Sequence, residues 1–553
     1  MESLFSLIDT VNGVMLSPPV LLALLAVGVL FTLWSGFSQY RSLTHGFGLL
    51  SGKWTSKTGP GVLTHFQALS TALSATVGLG NIAGVAIAVQ IGGPGAIFWM
   101  WMVGLAGMAV KSFEVLASML YRNVDDPENP HGGTMWAAKR GLAAINPSLA
   151  GLGTILGALF CLPLILFALT GGNMFQSWSV SDTTREYFGV APWITGVILA
   201  VVTGLVIIGG IRRIGQIAAT LVPFMCAIYI TAGLFVIVVN FDQMPRLFGL
   251  IFSSAFSPAE ASGAFIGASW GMAFIWGMKR ALFSSEAGLG SAPIAHSAVK
   301  TREPVTEGIV AGLEPFIDTL VVCTITGLVI LSSGIWDRDP VAPWDAAPAL
   351  VQSEAGWAPE IRKLPPMTRE AWKAGDPVFV VVQSSEGGER SRITGSVADV
   401  TEAGIAIVQW NPQASDQPPR FAEPGVFADY TASTMTAKAF DTAYDGLGKW
   451  MVTLAVWLFA ISTIISWSYY GEQGIIYLLG ERGVGVYRLV YVALTAIACM
   501  GIMQTAYEVD ALSTIAMGFM LAINLPLIVI LAPRTMAAYR DYVARLKTGS
   551  INP

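Results

Sequence analysis

The sequence predicts an all-α polytopic membrane protein with about eleven transmembrane helices. They form a five-plus-five inverted repeat with two broken helices, and a small extracytoplasmic insertion contains β-strands. Composition is the first reason: 54% of the 553 residues are hydrophobic and 12% are charged, whereas soluble domains average about 25% charged residues. The second reason is the recurrence of apolar segments of membrane-spanning length. The third is that glycines interrupt two of these segments, as in the discontinuous helices of secondary transporters.

Eleven segments are long and apolar enough to cross a bilayer, which takes roughly 20 residues in a helix. Their approximate limits are 17–37, 67–90, 94–121, 151–179, 192–211, 215–239, 262–290, 304–333, 447–470, 484–505 and 509–532. With the first span peripheral, two groups of five remain, and the second group enters the membrane from the opposite side because five is odd. The predicted divisions are 1–66 (peripheral helix and cytoplasmic loop), 67–240 (first repeat), 241–333 (start of the second repeat), 334–446 (insertion), 447–533 (rest of the second repeat) and 534–553 (cytoplasmic tail).

Lysine and arginine are concentrated on one side of the predicted membrane. The loops on that side contain Arg41, Lys53, Lys57, Arg122, Lys139, Arg140, Arg212, Arg213, Lys300, Arg302, Arg482 and Arg488. The short loops on the other side contain Arg185 and Arg246. Because basic loops stay in the cytoplasm, we expect a multi-pass protein of a bacterial plasma (inner) membrane, with its N-terminus outside and its C-terminus inside. The net charge of -5 indicates no particular partner, and we expect no nucleic-acid binding.

The insertion 334–446 is predicted to lie in the periplasm or outside the cell. Three runs of alternating or β-branched residues predict strands, namely Pro377–Gln383, Ser391–Val400 and Gly404–Trp410. Glycines at Gly387-Gly388 and in Glu402-Ala403-Gly404 predict the turns of a three-stranded meander. The simplest interpretation is a decoration without chemistry. The alternative is a lid or a docking module for a protein partner that the sequence does not identify.

The first interruption lies within the second span, at Ala75-Thr76-Val77-Gly78-Leu79-Gly80-Asn81. Glycine weakens helix propagation, and polar groups in hydrocarbon need partners. A helix broken at this depth frees backbone amides and carbonyls that can bind ions and small substrates. The seventh span contains two glycine interruptions, Trp276-Gly277-Met278 and Gly288-Leu289-Gly290. The sequence therefore predicts a binding site between the two repeats.

Several of these residues belong to longer motifs. These motifs are Thr76–Val85, Phe283–His296, and Phe459–Thr463 with Trp467–Gly471. They resemble the alanine/glycine:cation symporters, also called sodium:alanine symporters, over nearly the whole membrane part but not over 334–446. The resemblance implies the leucine-transporter fold and sodium as the coupling ion, with protons possible in some members. It also implies small neutral amino acids as cargo, and we expect no tightly bound cofactor.

The resemblance implies a substrate site at the first break, formed by Thr76, Gly78, Gly80 and Asn81. Backbone amides and the Thr76 hydroxyl would hold the substrate carboxylate, because a desolvated charge needs donors that replace water. Asn81 would give its side-chain oxygen to a cation or to the substrate. The alternative for Asn81 is a cap on the helix break.

The resemblance also implies a sodium site formed by the hydroxyls of Ser462 and Thr463 with carbonyls near Ala75 and Gly78. Oxygen ligands suit a hard cation. Ser466 and Asp318 are secondary candidates. The alternative is that these hydroxyls serve helix–helix packing.

Four further residues complete the predicted substrate site. By its place in the family pattern, Trp276-Gly277 marks the second break, where Gly277 would expose backbone to the substrate amino group and Trp276 would limit the side-chain pocket. Asn173 and Gln176 are three residues apart and are expected to share one helix face. Three positions depart from the family pattern and leave the cargo open, namely Trp178, Ser285 and Lys279.

The remaining intramembrane charges have structural and functional interpretations. Lys111 and Glu114 can form a structural pair, and Glu286 is expected in an inner gate. Glu314 and Asp318, four residues apart, can bond neighbouring helices or sense a proton. Histidines and cysteines show no catalytic or metal-binding spacing, so we expect no enzyme.

The sequence predicts a sodium-coupled symporter of alanine or glycine working by alternating access. The alternatives are a cation-coupled carrier of another small zwitterion and a transporter-like nutrient sensor.

Overall fold

The computed structural model describes residues 2–54, 58–256, 270–367, 371–383, 390–415, 417–430, 432–501 and 506–550. Most of them are helical. The α-helices are Glu2–Met15, Pro18–Ser35, Ser38–Arg41, Phe47–Leu50, His65–Thr76, Val85–Gly92, Gly95–Tyr121, Thr134–Trp136, Leu142–Ile145, Ala150–Leu169, Phe175–Phe188, Pro192–Ile207, Gly210–Val239, Met244–Ser254, Trp270–Ser285, Pro293–His296, Pro304–Ala311, Thr324–Ser333, Ala432–Asp441, Leu447–Leu479, Val484–Ile497 and Ala506–Lys547. Wider π-helical turns occur at Ser42–Gly46, Gly80–Gly84, Ala137–Gly141, Thr170–Met174 and Phe316–Cys323.

Within the described residues, seven helical segments are long and apolar enough to span a bilayer. They are Thr10–Ser35, Gly95–Tyr121, Pro147–Phe188, Gly210–Val239, Pro304–Ser333, Leu447–Leu479 and Ala511–Lys547. A bent pair, His65–Thr76 with Gly80–Gly92, makes an eighth candidate. Three other predicted spans contain the shorter helices Pro192–Ile207, Trp270–Ser285 and Val484–Ile497, and parts of the last two spans lie outside the described residues. The polytopic helical fold is thus confirmed.

The first predicted break is confirmed. Helix His65–Thr76 begins with a capping box in which Thr64 and Gln67 exchange side-chain and backbone hydrogen bonds. The chain leaves the helix at Val77 and resumes it at Gly80, and the two halves are bent by 51°. We call this pair, His65–Thr76 and Gly80–Gly92, the broken helix. The Val77 N–H still bonds to the Leu73 carbonyl at 2.7 Å, but the N–H groups of Gly78 and Leu79 face side-chain oxygens instead of helical carbonyls.

The second break does not lie where the sequence analysis placed it. Helix Trp270–Ser285 continues through Trp276 and Gly277. Gly277 instead permits close helix packing, because an added Cβ would lie 2.4 Å from the carbonyl oxygen of Ala96. The helix ends before Glu286, which has φ 53°, and Gly290 has φ 77°. The helix is therefore not broken at Trp276-Gly277; it ends at the second glycine interruption, Gly288-Leu289-Gly290, which we call the second break.

The insertion forms the predicted β-strands and contains further strands as well. Its strands are β1 (Ala342–Pro343), β2 (Leu350–Ser353), β3 (Gly356–Pro359), β4 (Lys363–Leu364), β5 (Pro377–Gln383), β6 (Arg390–Val400), β7 (Ala406–Trp410), β8 (Arg420–Phe421) and β9 (Gly425–Ala428). β5, β6 and β7 pair as the antiparallel meander. The seven-stranded sheet has the order β1-β9-β5-β6-β7-β4, with β8 also paired to β5, while β2 and β3 form a separate pair. The predicted turn Gly387-Gly388 lies outside the described residues.

The insertion is joined to the broken helix. Helix Ala432–Asp441 follows the sheet, and its Thr436 hydroxyl donates to the carbonyl of Ile82 at 3.1 Å. Gln90, near the end of the broken helix, donates to Asp429 at 3.1 Å. The insertion therefore contacts the second half of the broken helix directly.

Several predicted basic loops meet at the end of the molecule where the broken helix begins. Arg122 donates to the carbonyl oxygens of Pro60, Ser297, Val299 and Thr301. This one guanidinium thus joins three separate loops. The insertion, in contrast, contacts the opposite end of the broken helix.

Candidate functional site

The break holds its freed backbone donors with two side-chain amides. The Gly78 N–H donates to the Asn81 side-chain oxygen at 2.8 Å, and the Leu79 N–H faces the Gln176 oxygen at 3.5 Å. Asn81 is fully buried and caps the break, which is the alternative role that the sequence analysis gave it. The Thr76 hydroxyl donates to the carbonyl of Ala72 at 3.2 Å. The backbone donors at the break therefore face Asn81 and Gln176, while the Thr76 hydroxyl is bonded within its own helix.

Asp318 receives three hydrogen bonds beside the break. Asn81 donates from its amide nitrogen at 2.5 Å, Ser284 from its hydroxyl at 2.6 Å and Thr319 from its hydroxyl at 2.8 Å. The carboxyl group is fully buried and lies in the π-helical turn Phe316–Cys323. A buried carboxylate is tolerated where donors replace water. Asp318 therefore links both broken elements to a third helix.

The predicted hydroxyl pair faces the first half of the broken helix. Thr463 contacts the carbonyl oxygen of Ser74 at 3.1 Å, and Ser462 contacts the same oxygen at 3.4 Å. The Ser74 hydroxyl in turn donates to the carbonyl of Ser462 at 2.7 Å. The Ser74 carbonyl, which both hydroxyls contact, belongs to the residue directly before Ala75. The sequence analysis had named Ala75 for this role. Gly78 completes the group, since a Cβ there would lie 2.6 Å from the Thr463 hydroxyl oxygen.

Ser466, the secondary candidate, lies one helical turn beyond Thr463 and is fully buried. Among the described residues its hydroxyl oxygen has no hydrogen-bond partner. Most buried hydroxyls are paired, so this one has capacity for a further contact.

Asn173 and Gln176 do not share a face, contrary to the prediction. Gln176 contacts the break through Leu79. Asn173 donates to the carbonyl of Tyr491 at 2.8 Å and accepts from Thr495 at 2.9 Å, so it joins helix Val484–Ile497. The reason is the π-helical turn Thr170–Met174, which adds residues to the turn and separates side chains that regular α-helical spacing would align.

Aromatic rings, which the sequence analysis had not assigned to the site, form its apolar wall. Phe283 lies against Gly80, where an added Cβ would be 3.2 Å from the ring. The ring centroids of Phe167 and Phe175 each lie 5.9 Å from that of Phe283. Trp276 instead packs beside Gly92, at the far end of the broken helix. Phe283 is thus better placed than Trp276 to limit a side-chain pocket at the break.

The departures from the family pattern lie in different surroundings. Trp178 lines a cavity of about 290 Å³ with Asp182, Arg185 and Cys499. The Lys279 ammonium lies 5.7 Å from the ring centroid of Trp276. The Ser285 hydroxyl oxygen accepts from the N–H of Ala287 at 3.4 Å, and the neighbouring Glu286 accepts from Ser291 at 2.5 Å and from the Trp467 indole at 3.1 Å. The presence of tryptophan at position 178 therefore gives little information about the size of a pocket beside Phe283.

The insertion carries a partly buried ion pair at its contact with the membrane part. Arg392 lies 3.4 Å from Asp429 and 3.9 Å from the ring centroid of Phe379. Burial lowers the pKa of Arg392 to about 10, and the carboxylate of Asp429 acts in the opposite direction. Because Gln90 donates to the same carboxylate, Asp429 connects the sheet to the broken helix.

Ser74, Ser284 and Phe283 belong to the site but had no role in the sequence analysis. Ser74 is the polar residue one turn before Gly78, and Ser284 and Phe283 directly precede the second break. Polar residues beside both interruptions were the available signal. Which of them meet across the core is a matter of tertiary packing.

A span that is broken at mid-length, with buried polar groups at the break, is typical of secondary transporters. The crystal structure of MhsT in complex with L-phenylalanine has a TM-score of 0.50 to this chain at 11% identity, covering 85% of this chain and 89% of that chain. This likeness confirms the expected leucine-transporter fold. It says nothing about cargo.

The chain belongs to the sodium:alanine symporter family, which it matches over residues 1–360 and 422–553. It is 37% identical over 487 residues to the sodium/alanine symporter AgcS of Methanococcus maripaludis, covering 88% of this chain and 86% of that protein. It is 30% identical over 543 residues to YrbD of Bacillus subtilis, a putative sodium/proton-dependent alanine carrier, covering 98% and 93%. The protein is thus a multi-pass membrane symporter and not an enzyme.

Proposed function

We propose that this protein couples sodium entry to the uptake of alanine, and of glycine or a similarly small neutral amino acid, by alternating access. The observation that carries the proposal is the convergence of Thr463 and Ser462 on the Ser74 carbonyl, directly beside the freed amides of Gly78 and Leu79. Oxygen donors for a cation and N–H donors for a carboxylate are thereby adjacent. The names of the relatives AgcS and YrbD support alanine as the first cargo to test.

In this proposal the substrate carboxylate takes the N–H groups that Asn81 and Gln176 now occupy, at Gly78 and Leu79. A charged acceptor forms stronger hydrogen bonds with these donors than a neutral amide does. The ring of Phe283, which would lie 3.2 Å from a Cβ at Gly80, is proposed to limit the substrate to a small side chain. Trp276 and Gly277 are not needed for this pocket.

Sodium is proposed to bind between the Ser462 and Thr463 hydroxyls and the carbonyls of Ser74 and Gly78, with Ser466 available one turn away. A cation there would fix the end of the first half of the broken helix against helix Leu447–Leu479. Substrate then binds a preformed break, which is how an ion can favour one state of an alternating-access carrier. We propose the orientation of the basic-loop pattern, with the N-terminus and the insertion outside.

A proton is the second candidate for the coupling ion, because the carboxyl group of Asp318 lies beside the same break. Its three donors come from Asn81, Ser284 and Thr319. A carboxyl group in this position can bind either a cation or a proton. Proton coupling is therefore the alternative that Asp318 favours.

The decisive experiment is uptake of labelled alanine into liposomes that contain the purified full-length protein. Uptake is compared with and without an inward sodium gradient, and again with an inward proton gradient. Unlabelled amino acids of increasing size serve as competitors. Accumulation that depends on sodium, with competition falling off as the side chain grows, is the expected result.

Two other results would change the proposal. Accumulation driven by the proton gradient alone would move the coupling site to Asp318. Binding of alanine without flux under either gradient would favour the nutrient sensor.

A further inference from the structure

A second polar cluster lies at the end of the broken helix where the basic loops meet. Glu307 accepts from His65 through one oxygen, and the other lies 2.5 Å from Nδ1 of His296. The opposite ring nitrogen of His296, Nε2, lies 2.5 Å from an oxygen of Glu314. Glu314 also pairs with Lys111 at 3.0 Å. All five side chains are buried.

The two contacts of His296 require one additional proton. A neutral imidazole carries a single N–H, so it can donate to only one of two carboxylates. With both glutamates ionised, the second contact would set a nitrogen lone pair against an oxygen lone pair. The geometry is satisfied only when His296 is an imidazolium or when one glutamate is protonated. Either form holds one proton more than a neutral imidazole with two carboxylates.

The surrounding charges favour that proton. Among the described residues, the titratable groups that face Glu307, His296 and Glu314 from neighbouring elements, besides His65, are Lys111, Glu114, Arg122, Glu286 and Tyr470. Together with Glu307 and Glu314, they give four carboxyl groups and only two permanent cations. An excess of buried negative charge is costly, and a bound proton reduces it.

The cluster also joins the two discontinuous elements at one point. His65 is the first residue of the broken helix, and His296 ends the short helix that follows the second break. Glu307 lies between them on helix Pro304–Ala311. One carboxylate therefore ties together the ends of both broken segments on this side of the membrane.

We propose that Glu307, His296 and Glu314 form a proton-binding site whose proton fastens the short helix Pro293–His296 to helix Pro304–Ala311, where Glu307 also holds the first half of the broken helix through His65. Loss of the proton removes one charge-assisted hydrogen bond and leaves added negative charge in the cluster. His296 then keeps only one of its two glutamate partners, so the short helix Pro293–His296 separates from helix Pro304–Ala311 and the first half of the broken helix, and this side of the transporter opens. The inference rests on the proposed function only for its consequence, namely that pH on this side controls release of cargo.

The test measures access to a reporter cysteine on the same half-helix. In full-length protein whose four native cysteines are changed to alanine, the buried Thr71 is replaced as Thr71→Cys. Its reaction rate with a maleimide is measured from about pH 6 to about pH 10. This range extends well above the pKa of an ordinary imidazole. Each rate is divided by the rate of the same thiol in detergent-unfolded protein, which removes the effect of thiol ionisation.

The normalised rate should rise roughly tenfold or more as the proton leaves, which is the effect expected for one hydrogen bond to a charged group. In Glu307→Gln the glutamine oxygen can accept from His65 and its amide can donate to His296. A neutral His296 then donates to Glu314, and Lys111 keeps its partner. The rate of this variant should be low and independent of pH.

Glu303→Gln is the matched control, because Glu303 lies just before the same helix and pairs with Arg545 at its half-exposed surface. It should follow the unsubstituted pH response. A pH response that persists in full in Glu307→Gln, or that is absent from the parent protein, would overturn the proposal.

A measurement without substitution covers the case in which Glu307→Gln does not fold. Nitrogen-15 NMR of labelled histidines, with infrared detection of protonated carboxyl groups, reports where the proton lies. An imidazolium at His296, or a neutral imidazole beside a protonated glutamate, is expected near neutral pH. A neutral imidazole with both glutamates ionised would refute the site. None of these readouts uses alanine or sodium, so they can succeed even if the proposed cargo is wrong.

Discussion

At the scale of single residues, the site depends on groups whose partners come from distant parts of the chain. Thr463 and Gly78 illustrate this, because the threonine hydroxyl occupies the space that a side chain on Gly78 would need. Asn81 similarly connects the break to Asp318 while its oxygen caps Gly78. Each residue has two partners, so substitutions can separate ion binding from substrate binding.

Thr463→Ala should raise the sodium concentration for half-maximal alanine uptake by roughly tenfold or more, the effect of losing one contact to a charged group. Thr463→Ser keeps the hydroxyl and should remain close to the parent protein. Sodium titration of uptake in liposomes measures both variants. Unchanged sodium activation in Thr463→Ala would show that the cation binds elsewhere.

Gly78→Ala should abolish uptake, because its methyl group would lie 2.6 Å from the Thr463 hydroxyl oxygen. Adding Thr463→Ala removes that atom, and the next neighbour is Gln176 at 3.6 Å, an ordinary contact. The double variant should therefore regain alanine binding, measured by equilibrium binding of labelled substrate, but not sodium dependence. Absence of binding in the double variant would mean that Gly78 is needed for its backbone and not for space.

At the scale of elements, the breaks have different origins. The first follows from glycines and a side-chain cap, and its first half begins with the Thr64 capping box. The second follows from residues with positive φ, including Glu286 and Gly290. No larger residue fits at position 290, because a Cβ added to Gly290 would lie 2.0 Å from the Thr134 hydroxyl oxygen. Trp276-Gly277 was misread because glycine in a membrane helix serves close packing as well as interruption.

Thr64→Ala should destabilise the first half of the broken helix by about 1 kcal/mol, the usual cost of losing an N-cap. Hydrogen exchange of the amides in 65–76 should quicken by roughly fivefold, which is the same free energy expressed as a ratio. Thr64→Ser preserves the cap and is the control. Equal exchange in Thr64→Ala and the parent would indicate that packing alone holds this half-helix.

At the scale of the whole molecule, the insertion is attached to the broken helix, which is the part that would move in the alternating access that we propose. Gln90 and Arg392 both contact Asp429, one from the broken helix and one from the sheet. The helix after the sheet also bonds to Ile82. These contacts favour the lid interpretation over a decoration without influence on the transporter.

Asp429→Asn keeps an oxygen that can accept from Gln90 but removes the charge that faces Arg392. A buried cation would lose its counter-charge, so we expect a loss of about 1–3 kcal/mol in the free energy of unfolding. The melting temperature in detergent should fall, while Glu402→Gln, an exposed change in the turn between β6 and β7, should leave it unchanged. A melting temperature equal to that of the parent would show that Asp429 does not stabilise the insertion.

The sequence by itself determined the membrane class, the first break, the β5–β7 meander and the family, because these depend on local composition and spacing. It also named Ser462, Thr463, Gly78 and Asn81, which the fold brings together. Only the tertiary structure decided that Ser74 supplies the shared carbonyl, that Asn173 turns away from the break, and that Glu307 joins His65 to His296. Contacts between residues more than two hundred positions apart depend on how helices pack, and a π-helical turn changes facing without a clear sequence signal.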